Sequence, residues 1–500
     1  MVSKQGLHLI SRRNLMLGSG ALAALQALPQ SAEAEVVSPL VEQLDHGAWP
    51  SDATVKKLYE DLLTQRAIQS YMLTLPTLNV IGMRDGSEAT FGKGYNVLPI
   101  WKDRMNAKTL VPTPNCDVVY SMSYLNLKET GPLVVYAPPN VIGMFTDFFQ
   151  RTLTDVGAAG PDKAGGGLYL LLPPDYNDQV PGGYFAFRSR TYNVFLFFRT
   201  VLAPGPDGPD TTVAVATAER TRVYPLYSLE RNRPHMEFPN ASPLRVNMMY
   251  PTDFAYWEKL KAFIDYEPAE SLDPVTRGML ASIGIIKGQP FAPDARRKEI
   301  LTNAVETAAR TIFALRITPE GLPNAPYYSD RHYVNGWGGV DDAFFGSSYQ
   351  SLDSRAAYFQ AAYSSAPAMV ADIVGLGSKY PIAFRDAKGE LLEGSRSYRL
   401  RLPPKIPAHL YWAVTVYNPH DGTMPETSQA FPSRNQFDKV ETNPDGSVEL
   451  YLGPTKPAQA PERNWIQTLE KRAFLVAVRL YGTDQTFYDQ TWKPDDLVPL

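Results

Sequence analysis

The string Thr113-Pro-Asn-Cys-Asp-Val-Val-Tyr120 gathers a carboxamide, a thiol, a carboxylate and a phenol in one short stretch. Pro114 fixes the entry to a turn, Asn115 and Asp117 can close Asx turns, and Tyr120 opens an extended run. Two readings follow. The polar groups form a rigid loop-to-strand corner by satisfying nearby backbone donors. Alternatively they face a cleft, with Asn115 contacting substrate, Asp117 as general base or metal ligand, and Tyr120 as proton donor. Cys116 is the only cysteine, which excludes an internal disulfide framework and an iron–sulfur site. A lone cysteine of this kind behaves as a small hydrophobe.

Other chemistry-bearing groups are scattered. The loop from Arg331 to Asp341 combines His332, a possible acid, with Trp337 and several glycines, a texture suited to a pocket wall or to a plain linker. Arg188, Arg190 and Arg199 stand on or beside expected strands. Alternation puts Arg188 and Arg190 on one face, where they could grip a carboxylate or phosphate or simply be solvated. Arg355 offers a second anion clamp. Trp465 can stand at a cleft mouth, or fill a core with Trp412 and Trp492. Asp341-Asp342 lacks the alternating acidic spacing of a calcium loop. The histidines beyond residue 34 are too far apart for a helical zinc pair, and the phosphate-binding and nucleophile-elbow glycine motifs are missing there. No pattern names a cofactor or a metal.

These groups need a scaffold, and the periodicity supplies one. Apolar residues at helical spacing predict a helix over 51–75 stopped by Pro76. Strands are expected at 118–127, 133–137, 143–149, 167–172, 184–190 and 193–201. Helices are expected at 211–227, 252–266, 274–285 and 293–316, and over 354–374 with a break at Pro367. Strands return at 410–417, 447–452 and 474–481, with Asn443-Pro-Asp-Gly446 as a tight turn. The fold class expected is multidomain α and β, with two antiparallel β-sandwich, jelly-roll-like domains joined by helices. The divisions are 1–34 (signal peptide), 51–209 (helix plus β-sandwich), 210–375 (helical connection) and 376–500 (second β-sandwich).

The chain has 500 residues, 44% hydrophobic and 20% charged, with 43 prolines and 35 glycines, as suits a turn-rich globular protein. Its formal charge of −4 argues against a nucleic-acid partner or a polybasic membrane patch. No apolar run is long enough for a stable membrane anchor. Arg12-Arg13 precedes a mildly apolar stretch and Ala32-Glu-Ala34. That three-part pattern is a twin-arginine export signal, which implies cleavage near Ala34, contact with the export machinery through both arginines, and a periplasmic or secreted mature protein.

Several spaced strings resemble a known pair of bacterial domains. Thr113-Pro-Asn-x-Asp-x-x-Tyr120, Gly131-Pro132, Asp147, Gly165-Gly-Gly167 and Pro173-Pro174 resemble the family called domain of unknown function 1254. Tyr411-Trp-Ala-Val-Thr-Val-Tyr417, Asp445-Gly-Ser-Val448, Gly453-Pro454, Asn464-Trp-Ile-Gln-Thr468, Arg479-Leu-Tyr-Gly482 and Trp492-Lys-Pro494 resemble its tandem partner, domain of unknown function 1214. The resemblance implies two jelly-roll-like β-sandwiches joined by helices, and no general reaction.

Two functions are expected. The first is an exported enzyme acting on a small or oligomeric organic substrate by hydrolysis or other general acid–base chemistry in an interdomain cleft. Asp117, Tyr120 and His332 would be its catalytic groups, with Asn115, Arg188, Arg199, Trp337, Arg355 and Trp465 holding substrate. The alternative is a non-catalytic periplasmic ligand-binding or chaperone-like protein. A homo-oligomer is compatible with both.

Overall fold

A computed structural model describes residues 49–318, 322, 325–338 and 340–500. Arg12-Arg13 and the cleavage site expected at Ala34 lie outside the described residues. Of the unit Met1–Tyr59, the described part is a short lead-in and the first turns of a helix. Glu60–Leu500 form a second compact unit. The fold is mixed α/β, with nine α-helices among the described residues and mainly antiparallel sheets.

The first helix runs Asp52–Phe91, straight through Pro76, where the sequence predicted a stop. An interior proline removes one helical N–H and frees carbonyls in the preceding turn. Side chains from elsewhere take up carbonyls around it. Tyr256 donates to the Tyr71 carbonyl at 3.0 Å, Arg355 to Leu73 at 2.9 Å and Gln150 to Pro76 at 2.7 Å. Leu75, Leu78, Val80 and Met83 are wholly buried, and that burial outweighs a proline penalty of about 3 kcal/mol.

One face of this helix meets the backbone of the 247–250 segment. A Cβ on Gly82 would lie 2.6 Å from the Tyr250 nitrogen, and one on Gly86, a turn later, would overlap the Asn247 carbonyl oxygen. These two glycines set the closeness of approach.

The N-terminal β region holds two four-stranded sheets. One is ordered Arg222–Pro225, Leu133–Ala137, Gly167–Leu172, Phe185–Arg188; the other Val118–Asn126, Asn193–Val201, Ile142–Asp147, Thr152–Val156. Both feed one apolar cluster, with Val135, Tyr169 and Leu171 from the first and Phe145, Leu196 and Phe198 from the second. The Asn193–Val201 strand is buried on both faces. Val194, Leu196 and Phe198 enter this cluster, while Phe195 and Phe197 enter a larger core shared with the helices. Alternation therefore turns Arg199 toward the larger core.

The C-terminal β region repeats this division of faces. Its larger sheet runs Tyr333–Asn335, Pro381–Ala383, Leu475–Thr483, Ala408–Tyr417, Ser433–Asn435, and its smaller one Trp465–Gln467, Val448–Gly453, Tyr398–Leu402, Val498–Pro499. Trp412, Val414, Val476 and Val478 share a cluster with Leu400, Leu450 and Ile466. Tyr411 and Tyr481 have the other parity and join the large core of the N-terminal region. Trp492 fills the C-terminal cluster as expected, whereas Trp465 lies outside it.

Two helical expectations need correction. Over 211–227 the helix is confined to Thr212–Ala218, and Arg222–Pro225 is an edge strand paired with Leu133–Ala137. Val223 and Tyr224 suit a strand, and an edge position tolerates Pro225. Over 354–374 the helix covers Leu352–Ala361, and a short one restarts at Pro367–Val370. Pro367 forces Ala366 into extended geometry, with φ −149° and ψ 157°.

Gly86→Ala tests the close approach. Helix propensity alone would make the substitution stabilising by about 1 kcal/mol. The overlap with Asn247 predicts the opposite sign, a loss of about 1–3 kcal/mol in urea denaturation.

Candidate functional site

The corner from Asn115 to Tyr120 is buried between the two β regions. The Asp117 N–H donates to Asn115 Oδ1 at 2.7 Å, closing the Asx turn. The Asp117 carboxylate is wholly buried and accepts from Arg104 at 2.9 Å, Asn435 at 2.6 Å and Ser433 at 2.9 Å. Arg104 in turn stacks 3.9 Å over the Phe431 ring. Asn115 donates its amide to the hydroxyls of Tyr481, at 2.7 Å, and Tyr411, at 3.1 Å. Burial, then the Asp117 charge, push the Cys116 thiol up, so it stays protonated. Every polar side chain of this corner has a structural partner.

Beside the corner lies a cavity of ≈120 Å³. Register explains how its polar wall arises. Tyr120 and Arg199 sit directly opposite each other in the antiparallel ladder, so their side chains emerge side by side. From the C-terminal sheet, Arg479 has the parity of Tyr481 and points the same way as that ring. Arg316, Asn335, Trp337, Tyr358, Tyr363 and Tyr380 belong to the same polar and aromatic wall. Phe197, Met369 and Leu475 represent a mostly apolar remainder.

Of the three guanidiniums here, Arg316 donates to the Pro419 carbonyl at 2.8 Å, whereas Arg199 and Arg479 are short of partners. Arg199 is 6% exposed and makes no hydrogen bond or ion pair with a described residue, its Nε being orphaned. Its guanidinium lies 5.2 Å from the centre of the Phe197 ring. Arg479 donates to the Tyr417 hydroxyl at 2.5 Å and to the Thr113 carbonyl at 3.4 Å, while its Nε is also orphaned. No carboxylate stands among the lining residues. The phenols remain neutral donors. Burial, then Tyr481, push Tyr380 up to about 12, and burial raises Tyr120 against the pull of Arg199 and Arg479.

Of the residues named from sequence, Tyr120, Arg199 and Trp337 meet at this cavity. Asn115 and Asp117 lie behind it. His332 is on the outside, its Nδ1 3.1 Å from Asp496. Arg188 is exposed at the end of an edge strand and binds the Tyr176 carbonyl, and the strand ends there, before Arg190. Arg355 caps the Leu73 carbonyl, and burial pulls it down to about 10. Trp465 donates to the Gly453 carbonyl at 3.1 Å. Sequence reasoning missed Arg479 and Tyr380. The available signal for Arg479 was a lone charge inside the apolar run Phe474-Leu-Val-Ala-Val-Arg-Leu-Tyr481.

Asp155 lies near enough for the Arg199 charge to act on it. Its Oδ2 accepts from the Ala368 N–H at 3.1 Å and its Oδ1 has no partner. Burial raises it to about 6, with Ala368 and Arg199 opposing. Asp341 ties its own loop by accepting from the backbone of Ala343 and Phe345 at 3.0 and 2.7 Å. Among the described residues no group of three or more His, Cys, Asp or Glu is placed to hold a metal. No described helix is long and apolar enough to cross a membrane.

Residues 95–225 match the family model described as "Protein of unknown function (DUF1254)", and residues 377–485 match "Protein of unknown function (DUF1214)". The two occur in the order expected from the motifs. No curated protein matches the chain. Among solved structures, the VPA0106 protein from Vibrio parahaemolyticus is similar at 16% identity and a TM-score of 0.54, covering 88% of this chain and 100% of that one. An uncharacterized protein from Burkholderia cenocepacia matches at 13% identity and a TM-score of 0.41, covering 90% and 97% respectively. The first of these likenesses shows a shared fold.

The corner and Asp155 each yield a prediction. Arg104→Met strands a buried carboxylate and is expected to cost about 3–5 kcal/mol, and measurably less in an Asp117→Asn background, as read by urea denaturation of the four-member cycle. Asp155 has a folded pKa above its unfolded value, so the folded state holds the extra proton and stability falls as pH rises from about 4 to about 6. Asp155→Asn should remove that slope and gain up to about 2–3 kcal/mol at neutral pH, measured by denaturation across pH.

Proposed function

We propose that the protein binds a small organic anion, an apolar body bearing a carboxylate, in the cavity walled by Tyr120, Arg199 and Arg479. The observation that carries this reading is the pair of buried guanidiniums that share a cavity with no carboxylate to neutralise them. Unpaired buried charge is costly, and a ligand carboxylate would take paired N–H bonds from arginine at the spacing its oxygens need. Neutral phenols add donors to the same head group. The apolar remainder suits a ring or short chain, and the volume is near that of a cavity known to accept benzene.

An acid–base hydrolase is the second reading. Of its three proposed catalytic groups only Tyr120 lines the cavity, so binding without chemistry takes precedence. Within this proposal the protein is exported, on the strength of Arg12-Arg13 and the residues up to Ala34. We also read the paired sheets of each β region as sandwiches, because each pair shares an apolar cluster.

Sodium benzoate and its neutral isostere benzamide provide the test. Benzoate is expected to raise the melting temperature and to bind at least tenfold more tightly than benzamide in calorimetry. Arg199→Met and Arg479→Met should each weaken benzoate about 10–100-fold. Equal binding of the two probes, or benzoate binding indifferent to both variants, would falsify the reading.

A further inference from the structure

A second, larger pocket of ≈570 Å³ opens elsewhere on the same compact unit, a size usual for small-molecule sites. It is bounded by the end of the Asp52–Phe91 helix, the loop after it, the Val118–Asn126 strand and the helix Ala255–Tyr266. Its chemistry differs from that of the arginine cavity. Arg84, Lys93 and Lys259 are matched in number by Asp85, Glu88 and Glu129, so the wall is charged but balanced.

Most of these charges are already engaged. Asp85 is held by Arg84, at 2.8 Å, and by Lys259. Glu129 accepts from the Asn126 amide at 2.9 Å. Two groups are left over. Tyr124 is 8% exposed, lines the pocket, and its hydroxyl has no hydrogen-bond partner. The Glu88 carboxylate accepts no hydrogen bond from a described residue; its ion-pair partner is Lys93 at 3.8 Å, itself solvent-exposed, and the Arg84 charge also acts on it. The Glu88 charge acts on the Tyr124 phenol, so the two are near neighbours. Burial also raises the pKa of Glu88, which fits a carboxylate short of donors.

We infer that this pocket binds a neutral, polyhydroxylated small molecule of the carbohydrate class, whose hydroxyls donate to Glu88 and accept from Tyr124. A hydroxyl both donates and accepts, which is what one orphaned phenol and one orphaned carboxylate together require. An anion would meet Glu88 and Glu129, and a cation would meet Arg84, Lys93 and Lys259. Tyr95, Phe263 and Tyr266 present aromatic surface to the same pocket, against which the C–H faces of a sugar ring pack.

The experiment is saturation-transfer NMR on the whole protein with glucose and maltose, beside ethanolamine and sodium benzoate as charged probes. Transfer to at least one sugar is expected at millimolar concentration, with about tenfold weaker binding in Tyr124→Phe and in Glu88→Gln. Arg199→Met, which does not line this pocket, should leave the sugar unaffected. Circular dichroism checks that each variant is folded, and either variant suffices if the other is not. The inference is overturned if neither sugar binds, if ethanolamine binds in preference to both, or if the folded variants bind sugar as the parent does.

Discussion

Asp117 is a charge buried far from water, and much of the molecule is arranged so that it can stay there. Its oxygens are met by a guanidinium from its own region and by Ser433 and Asn435 from the edge of the C-terminal sheet. A buried ion pair of this kind adds little net stability against an apolar replacement, but it punishes any arrangement in which one partner is missing. The bonds from Asn115 to Tyr411 and Tyr481 act in the same direction. Together they fix which face of each sheet looks at the other. The parity of two strands then decides that Tyr120, Arg199 and Arg479 arrive at one place.

The contrast between the corner and the cavity is one of saturation. At Asp117 each oxygen is used and the thiol beside it is inert. On the strand paired with the one that follows Asp117, Arg199 is also buried and nearly partnerless. Protein interiors rarely leave a charged donor empty, so an unmet one is more informative than a met one. Residue type alone does not separate these cases, since an arginine and an aspartate look alike in sequence whether engaged or idle.

The strands were the legible part. Expected runs at 133–137, 167–172 and 193–201 coincide with those observed, because each is a short apolar run bounded by turn formers. Pro76 misled because a long-range rescue by Arg355 and Gln150 is invisible to local periodicity. The segment after Ala218 misled because its apolar residues fit either period, and an open sheet edge decided. At the site, Arg199 and Trp337 were named from their types and setting. Asn115 and Asp117 were singled out for polarity that serves the backbone and a neighbouring sheet. His332 was named for its imidazole, yet the loop that carries it offers Trp337 to the cavity and leaves the imidazole at the surface. What joins Tyr120 to Arg199 is a ladder register, and what joins them to Arg479 is a contact between distant strands, neither of which a single sequence displays.

The partners of Asp117 also set an order of events during synthesis. Ser433 and Asn435 follow it by 316 and 318 residues, and Tyr481 follows its own partner Asn115 by 366. A ribosome therefore exposes a complete N-terminal β region long before the groups that neutralise its buried corner exist. Until then the corner must stay hydrated and the large shared core must stay open. Closing such distant contacts comes late and slowly, since the chain entropy is lost before the contacts return anything. The C-terminal sheet is thus the element whose arrival lets the earlier one finish folding, and a chain cut between the two halves carries a corner with no means of leaving water.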